Sequence, residues 1–412
     1  MIGSARRRLA ALAATAALAS LGTVPAAHAD AAPPAPNLAT NPGFEIPTLP
    51  LADWGSIPGW HCAAGEGAVT AAARTGGSAL AVTPASADST GQCTQTLAVR
   101  PDTTYTYRAW VHGSYAFLGA TGTGHDVPPA WTASTGDGWQ QLATSFTTGP
   151  ATTSVQLYVH GWYGQGPIAV DDVTVSGDSP APAPLVSSVP TADPVVFVTI
   201  DDGWTRDPAA AQLIADREVP VTAFPLPMPE GFEPDYFARA TAVPGSAIED
   251  HSVSHRDLTT LSLAEQQAEI CDARDAVTAH YGTVPTLFRP PYFAWNADTR
   301  QAAANCGMKY LVTANADFGW GASSTSHPDG ALQPGDIVIL HFTDTLNGDL
   351  QRALDAAARA GRRPGPHTDT PRCPPGAHRG PAPYDGPGHR CSSPTDVSRA
   401  TARIGPRLRP RR

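Results

Sequence analysis

Apolar and polar positions alternate through the first part of the chain, and the period then changes. Tyr105, Tyr107, Ala109 and Val111 share one side, and Val155, Leu157 and Val159 repeat the pattern. Such alternation between turn residues predicts short antiparallel strands stacked as a β-sandwich. From Pro194 onward, Val195–Ile200 reads as a strand buried on both faces. A helix is expected over 207–217, with Asp207 as N-cap and Pro208 in the first turn. Another is expected over 262–280, where Ser262 and Glu265 make a capping box. Val219–Phe224, Lys309–Thr313 and Asp336–His341 read as further strands, and Leu350–Ala360 as a last helix. Strands alternating with helices predict parallel pairing and an α/β layered or barrel architecture.

These changes of pattern divide the chain. Residues 1–29 read as a secretory signal peptide: Arg6, Arg7 and Arg8 precede an Ala/Leu-rich run, and Ala27-His28-Ala29 forms the cleavage pattern. The sandwich takes 36–177, a Pro/Ala/Ser-rich stretch over 178–193 reads as an extended linker, and the α/β domain takes 194–362. The end, 363–412, is a basic Pro/Arg-rich tail expected to be disordered, and no closing strand is legible after the last helix.

Composition narrows the partners. A net charge of −10 argues against nucleic acid and anionic membrane surfaces. The signal peptide points to a secreted, extracellular protein, no later run is long enough to span a bilayer, and a monomer is expected. Export permits disulfides. The six cysteines fall into local couples: Cys62 with Cys93, Cys271 with Cys306, and Cys373 with Cys391, the last left open.

Candidate chemistry lies in the second domain. Asp201 and Asp202 end its first strand, and Gly203 lets the chain turn. Consecutive strand residues face opposite sides, so both acids serve one site only at a strand end, where α/β folds collect their chemistry. His251 and His255 stand four apart, the separation that puts two imidazoles on one helical face around one ion. Asp201 or Asp202 offers a third ligand. Arg289 precedes Pro290, Pro291 and Tyr292; Asp317 stands beside aromatics; His341 ends a buried strand. Singly, these read as a solvated turn, a proline turn, a surface acid and a core histidine.

In this order across Val195–Ala360, the features resemble the polysaccharide deacetylases of carbohydrate esterase family four. The resemblance implies a distorted (β/α) barrel and a metal-dependent hydrolase of linear amides. Its substrate would be a GlcNAc-containing polysaccharide, chitin- or peptidoglycan-like. By position, it implies Asp201 as catalytic base, with Asp202, His251 and His255 holding a divalent ion, Zn2+ above others. Arg289 would orient Asp201, and the backbone at Tyr292 would help bind the oxyanion. His341 would be the general acid, with Asp317 favouring its imidazolium form. Trp204, where the family usually has proline, and either Trp320 or Phe318 are expected at the cleft. An acetylxylan esterase on the same centre is one alternative; a catalytically impaired glycan-binding protein is another.

The first domain resembles the jelly-roll carbohydrate-binding modules, on its opening Asn37-Leu38 and Asn41–Glu45 and its closing Ile168–Val175. That resemblance implies a polysaccharide partner and a structural Ca2+ held by Glu45 and Asp172. Trp131, Trp162 and Tyr163, in Gly-flanked loops, are the aromatics expected to face sugar.

Overall fold

Alternation in the first domain becomes two antiparallel sheets of five strands each in the computed structural model, which describes residues 37–47, 57–63, 65–227 and 233–368. The expected signal peptide and the Cys373–Cys391 couple lie outside the described residues. One sheet orders His61–Cys62, Gln92–Ala98, Ser154–His160, Ser114–Thr121 and Ala130–Ser134. The other orders Gly67–Thr70, Ala79–Val82, Ile168–Ser176, Thr104–His112 and Gln140–Thr147. The alternating set Tyr105, Tyr107, Ala109 and Val111 faces inward with Val155, Leu157 and Val159, all in one core. Asn37 ties the opening to the closing strand, donating to the Val173 carbonyl at 2.8 Å and accepting the Val175 N–H at 2.8 Å. Cys62 and Cys93 are register partners on neighbouring strands and are joined as a disulfide.

In the second domain the buried run forms the central strand Val195–Asp202. It pairs in parallel with Val221–Pro225 on one side and Ile337–His341 on the other. Ala247–Ile248 extends the sheet beyond Val221–Pro225. Ala316–Asp317 and Ser324–Thr325 extend it past Ile337–His341. A second, parallel sheet orders Leu185–Val186, Tyr310–Val312 and Leu287–Phe288. Isolated bridges, Asp250 to Phe288 and Ser188 to Asp336, connect its two edges with the larger sheet. Helices Pro208–Asp216 and Leu263–Tyr281 carry the expected caps, and the long one is bound to Ala297–Asn305 through the Cys271–Cys306 disulfide.

Three expectations change. The stretch 178–193 is not a free linker, because Leu185–Val186 pairs with Leu311 and Val312. Ala183 is buried there and exchanges backbone and side-chain bonds with Arg300. Proline-rich backbone is already extended and needs few donors, which suits an edge strand. A closing strand also exists: Arg363–Pro364 pairs in parallel with Val195 and Val196. Two residues carry no readable period, so it leaves no sequence signal. Beyond it, His367 bonds the Thr222 hydroxyl at 3.0 Å and approaches Glu249 at 3.2 Å, so the ordered domain runs past 362. Finally, Pro234–Ala240 and Ala297–Asn305 are helices that the pattern did not reveal.

The two domains share a polar seam along helix Leu263–Tyr281. Gln267 donates to the Leu38 carbonyl at 3.2 Å and to Thr40 at 2.6 Å. Asp272 accepts the Gly59 amide, and His61 meets Asp275 at 2.8 Å.

Candidate active site

Gly203, at φ +132°, turns the chain at the end of the central strand. A Cβ there would lie 2.7 Å from the Phe237 ring, so no other residue fits. Asp201 and His341 are register partners on adjacent parallel strands, which sets them side by side at the carboxyl ends of those strands. Asp202, the next residue, adopts φ +71°. Its Oδ1 lies 3.4 Å from His251 Nε2 and 3.2 Å from His255 Nε2. The histidines do not share a helix; they lie in the loop after Ala247–Ile248, with Ser252 at φ +68° and His255 at φ +53°. The i, i+4 spacing therefore works through two left-handed residues instead of a helical face.

The tautomer of His251 follows from its partner. Nδ1 contacts the Arg289 carbonyl at 2.7 Å, and a carbonyl only accepts, so Nδ1 carries hydrogen and Nε2 is the nitrogen turned toward Asp202. One ligand atom each from Asp202, His251 and His255 lies within 4.8 Å of the others. Asp202 Oδ1 is buried without a hydrogen-bond partner. A buried, unsatisfied carboxylate oxygen facing two imidazoles fits a shared divalent cation. Burial alone would raise the Asp202 carboxyl, but His251 and His255 outweigh it and hold it well below the usual carboxylate range.

Arg289 is fully buried and held from several sides. It donates to Asp201 Oδ1 at 2.6 Å and to the Thr199 hydroxyl at 2.7 Å. The Val312 and Thr313 carbonyls accept its other N–H groups at 3.3 Å, and Phe224 lies 4.4 Å from the guanidinium carbon. This fixes the Asp201 carboxylate in place. Thr199, two residues before Asp201 on the same strand, is part of that anchor and carried no sequence signal. Tyr292 is exposed at φ +58°, and its ring packs edge-on against His255 at 4.6 Å. Trp204 stands exposed beyond Gly203.

At His341 the expectation changes. Burial lowers its pKa and prevails over the nearby charges of Asp201, Asp202 and Asp317. Asp317 acts in the expected direction and raises the His341 pKa, but burial outweighs it; the Asp317 carboxylate accepts the Gly319 amide at 2.8 Å, and His341 Nδ1 is enclosed with no partner. Of the two candidate aromatics, Trp320 lies 3.9 Å from the His341 ring, while Phe318 is buried in the core.

On the sandwich, the pair expected to hold calcium is satisfied by donors. Arg74 and Thr75 bond Asp172, and the Gly77 and Ser78 amides bond Glu45. The aromatics gather elsewhere, on the outward face of one sheet. Phe117 stacks with His160 at 4.7 Å, Trp162 at 5.1 Å and Trp131 at 5.7 Å, and Tyr158 lies 5.6 Å from His160. Trp131 is 55% exposed and Tyr163 49%, too open for core residues. Phe117, Tyr158 and His160 were missed in the sequence because a half-buried face looks like ordinary alternation.

Residues 188–311 match the family model for polysaccharide deacetylase, and residues 36–168 match that for a carbohydrate binding domain. Asp317, Trp320 and His341 lie beyond the matched range. An uncharacterized protein of Streptomyces coelicolor is 40% identical over 184 residues, 43% of this chain and 70% of that protein. Exochitinase 1 of Streptomyces olivaceoviridis is 45% identical over 141 residues, 34% of this chain and 22% of that enzyme. A chitin deacetylase of Pestalotiopsis sp is 27% identical over 199 residues, 45% of this chain and 66% of that enzyme.

Proposed function

Since the chain belongs to the polysaccharide deacetylase family of carbohydrate esterase family four and carries a carbohydrate-binding domain ahead of it, we propose that it is a secreted, metal-dependent deacetylase of a GlcNAc-containing polysaccharide. The observation that carries this reading is the pairing of Asp201 with His341 at the carboxyl ends of adjacent strands, beside the Asp202–His251–His255 cluster. We read the two sheets and their bridges as the distorted (β/α) barrel of that family.

Asp202, His251 and His255 would hold the ion, and two imidazoles with one carboxylate favour zinc. Such an ion, when bound, would acidify water and polarise the acetyl carbonyl. Asp201, held by Arg289 and Thr199, takes the proton of the attacking water. The backbone N–H of Tyr292 steadies the oxyanion. His341 returns a proton to the departing sugar amine, so the amide and water become acetate and amine. Trp204 and Trp320 line the rim against which the sugar ring lies. The outward aromatic face of the sandwich holds the polymer, its rings offering flat apolar surfaces to sugar faces.

Acetate release by the purified, zinc-loaded protein from chitin, peptidoglycan and acetylated xylan tests the reading. Release from an amide-linked substrate supports it. Release only from xylan would make the protein an ester hydrolase, and no release from any would leave a binding protein.

A further inference from the structure

Asp349 is fully buried in the first turn of helix Leu346–Arg359, where its side chain joins the N-cap Thr345 and Arg352 of that helix to the turn around Gly321. Its Oδ1 accepts the Gly321 amide at 3.0 Å and also meets the Arg352 guanidinium; its Oδ2 accepts the Thr345 hydroxyl. Arg352 bridges in turn to the Phe318 carbonyl at 3.3 Å. Together they grip both sides of the turn 318–322, which the Ala322 amide closes onto the Gly319 carbonyl. Trp320 lies at the tip of this turn at φ +47°, and its ring covers His341 at 3.9 Å. Gly319 passes so close that a Cβ would lie 3.1 Å from His341 Nδ1.

An exposed tryptophan on a left-handed residue has little of its own to hold it over a histidine. The ring is 59% exposed, so packing does not fix it. The anchor is the buried Asp349 carboxylate, which holds the amide of Gly321, the residue after Trp320. We propose that Asp349 is a positioning residue for His341: through the Gly321 amide it keeps Trp320 against the imidazole, which encloses Nδ1 and fixes the ring plane. Arg352 shares the grip at Phe318. Misplacement of a proton donor by about 1 Å is enough to cost ~10²-fold in turnover, so a residue that touches no reacting atom can still govern the step. The proposal rests on His341 as general acid for its kinetic arm only.

The test uses the full-length, zinc-loaded protein and a chitin oligosaccharide. Asp349→Ala should lower kcat by ~10- to 100-fold with KM little changed. In a Trp320→Ala background the same substitution should cost nothing further, the non-additivity expected of residues acting as one unit. An activity-independent arm is carbethoxylation by diethyl pyrocarbonate, followed by peptide mass spectrometry. His341 should react severalfold faster in Asp349→Ala, while the exposed His125 on the sandwich reacts unchanged. Should Asp349→Ala not fold, Arg352→Met, which removes only the partly exposed guanidinium, takes its place in both arms. A folded variant with the same kcat loss with and without Trp320, or with an unchanged His341 modification rate, overturns the proposal. If the wild type releases no acetate, the functional reading fails, and the modification rate alone decides this one.

Discussion

Asp272, on the long helix of the second domain, accepts the Gly59 amide of the sandwich with both carboxylate oxygens, at 2.8 and 3.1 Å. Burial pushes its pKa up to about 7. Beside it, burial opposes ionisation of Asp275, but Arg274 and His61 outweigh that and hold it at about 2. Burial likewise works against charge on His61, and Asp275 reverses this and raises it. The signs combine. An acid whose folded pKa exceeds its unfolded one binds more protons when folded, so Asp272 loses stability as pH rises from 3.8 to about 7. Asp275 loses its contribution only as pH falls toward about 2, and His61 loses its own as pH climbs through its raised pKa. The contribution of this seam to stability should therefore be greatest near pH ~4 and decline toward neutrality. Melting curves from pH ~4 to ~9 check this, and Asp272→Asn, which cannot ionise, should flatten the decline.

His255→Ala should abolish divalent-ion binding, because the ion would keep only Asp202 and His251. Metal content by mass spectrometry and acetate release should fall together. Chelation of the wild type should do the same and lower Tm, since Asp202 Oδ1 is then left buried without a partner. An active, metal-free variant would overturn the assignment.

Asp201→Asn should keep the metal and lose turnover by ~10²–10⁴-fold, the usual cost of a general base. His341→Ala should remove the alkaline limb of the pH–rate profile, with oligosaccharide binding retained. Metal loss in Asp201→Asn would show that the two aspartates have exchanged roles.

Trp131→Ala and Trp162→Ala should weaken binding to insoluble chitin and spare the rate on short oligomers, as each ring lies on the outward platform. Point changes are the right probe. Deleting residues 37–177 would also strip Asp272 and Gln267 of their partners across the seam, so the remaining domain should melt at a lower temperature.

Ending the chain after Arg362 should lower Tm, because it removes the strand paired with Val195 and Val196 and the His367 contacts to Thr222 and Glu249. His367→Ala isolates the second part. A truncated protein that melts with the full chain would show that these contacts contribute nothing measurable.

Local patterns in the sequence were enough for the sandwich, the buried central strand, the capped helices and both local disulfides. Each depends on neighbours a few residues apart: a period of two, a serine three before a glutamate, a strand closed by two acids. The order of Asp201, Asp202, His251, His255, Arg289 and His341 also singled out the residues that the fold brings together. Everything that depends on distant partners was decided by tertiary structure. His251 and His255 meet Asp202 through left-handed loop residues, because the Arg289 carbonyl orients the His251 ring. Trp320 rather than Phe318 covers His341, and burial there prevails over Asp317. The stretch 178–193 and the closing strand pair over two residues each, too short for any period to reveal. The seam through Asp272 and Gly59 joins positions 213 residues apart in the chain, and a polar contact at that separation exists only once both domains have folded against each other.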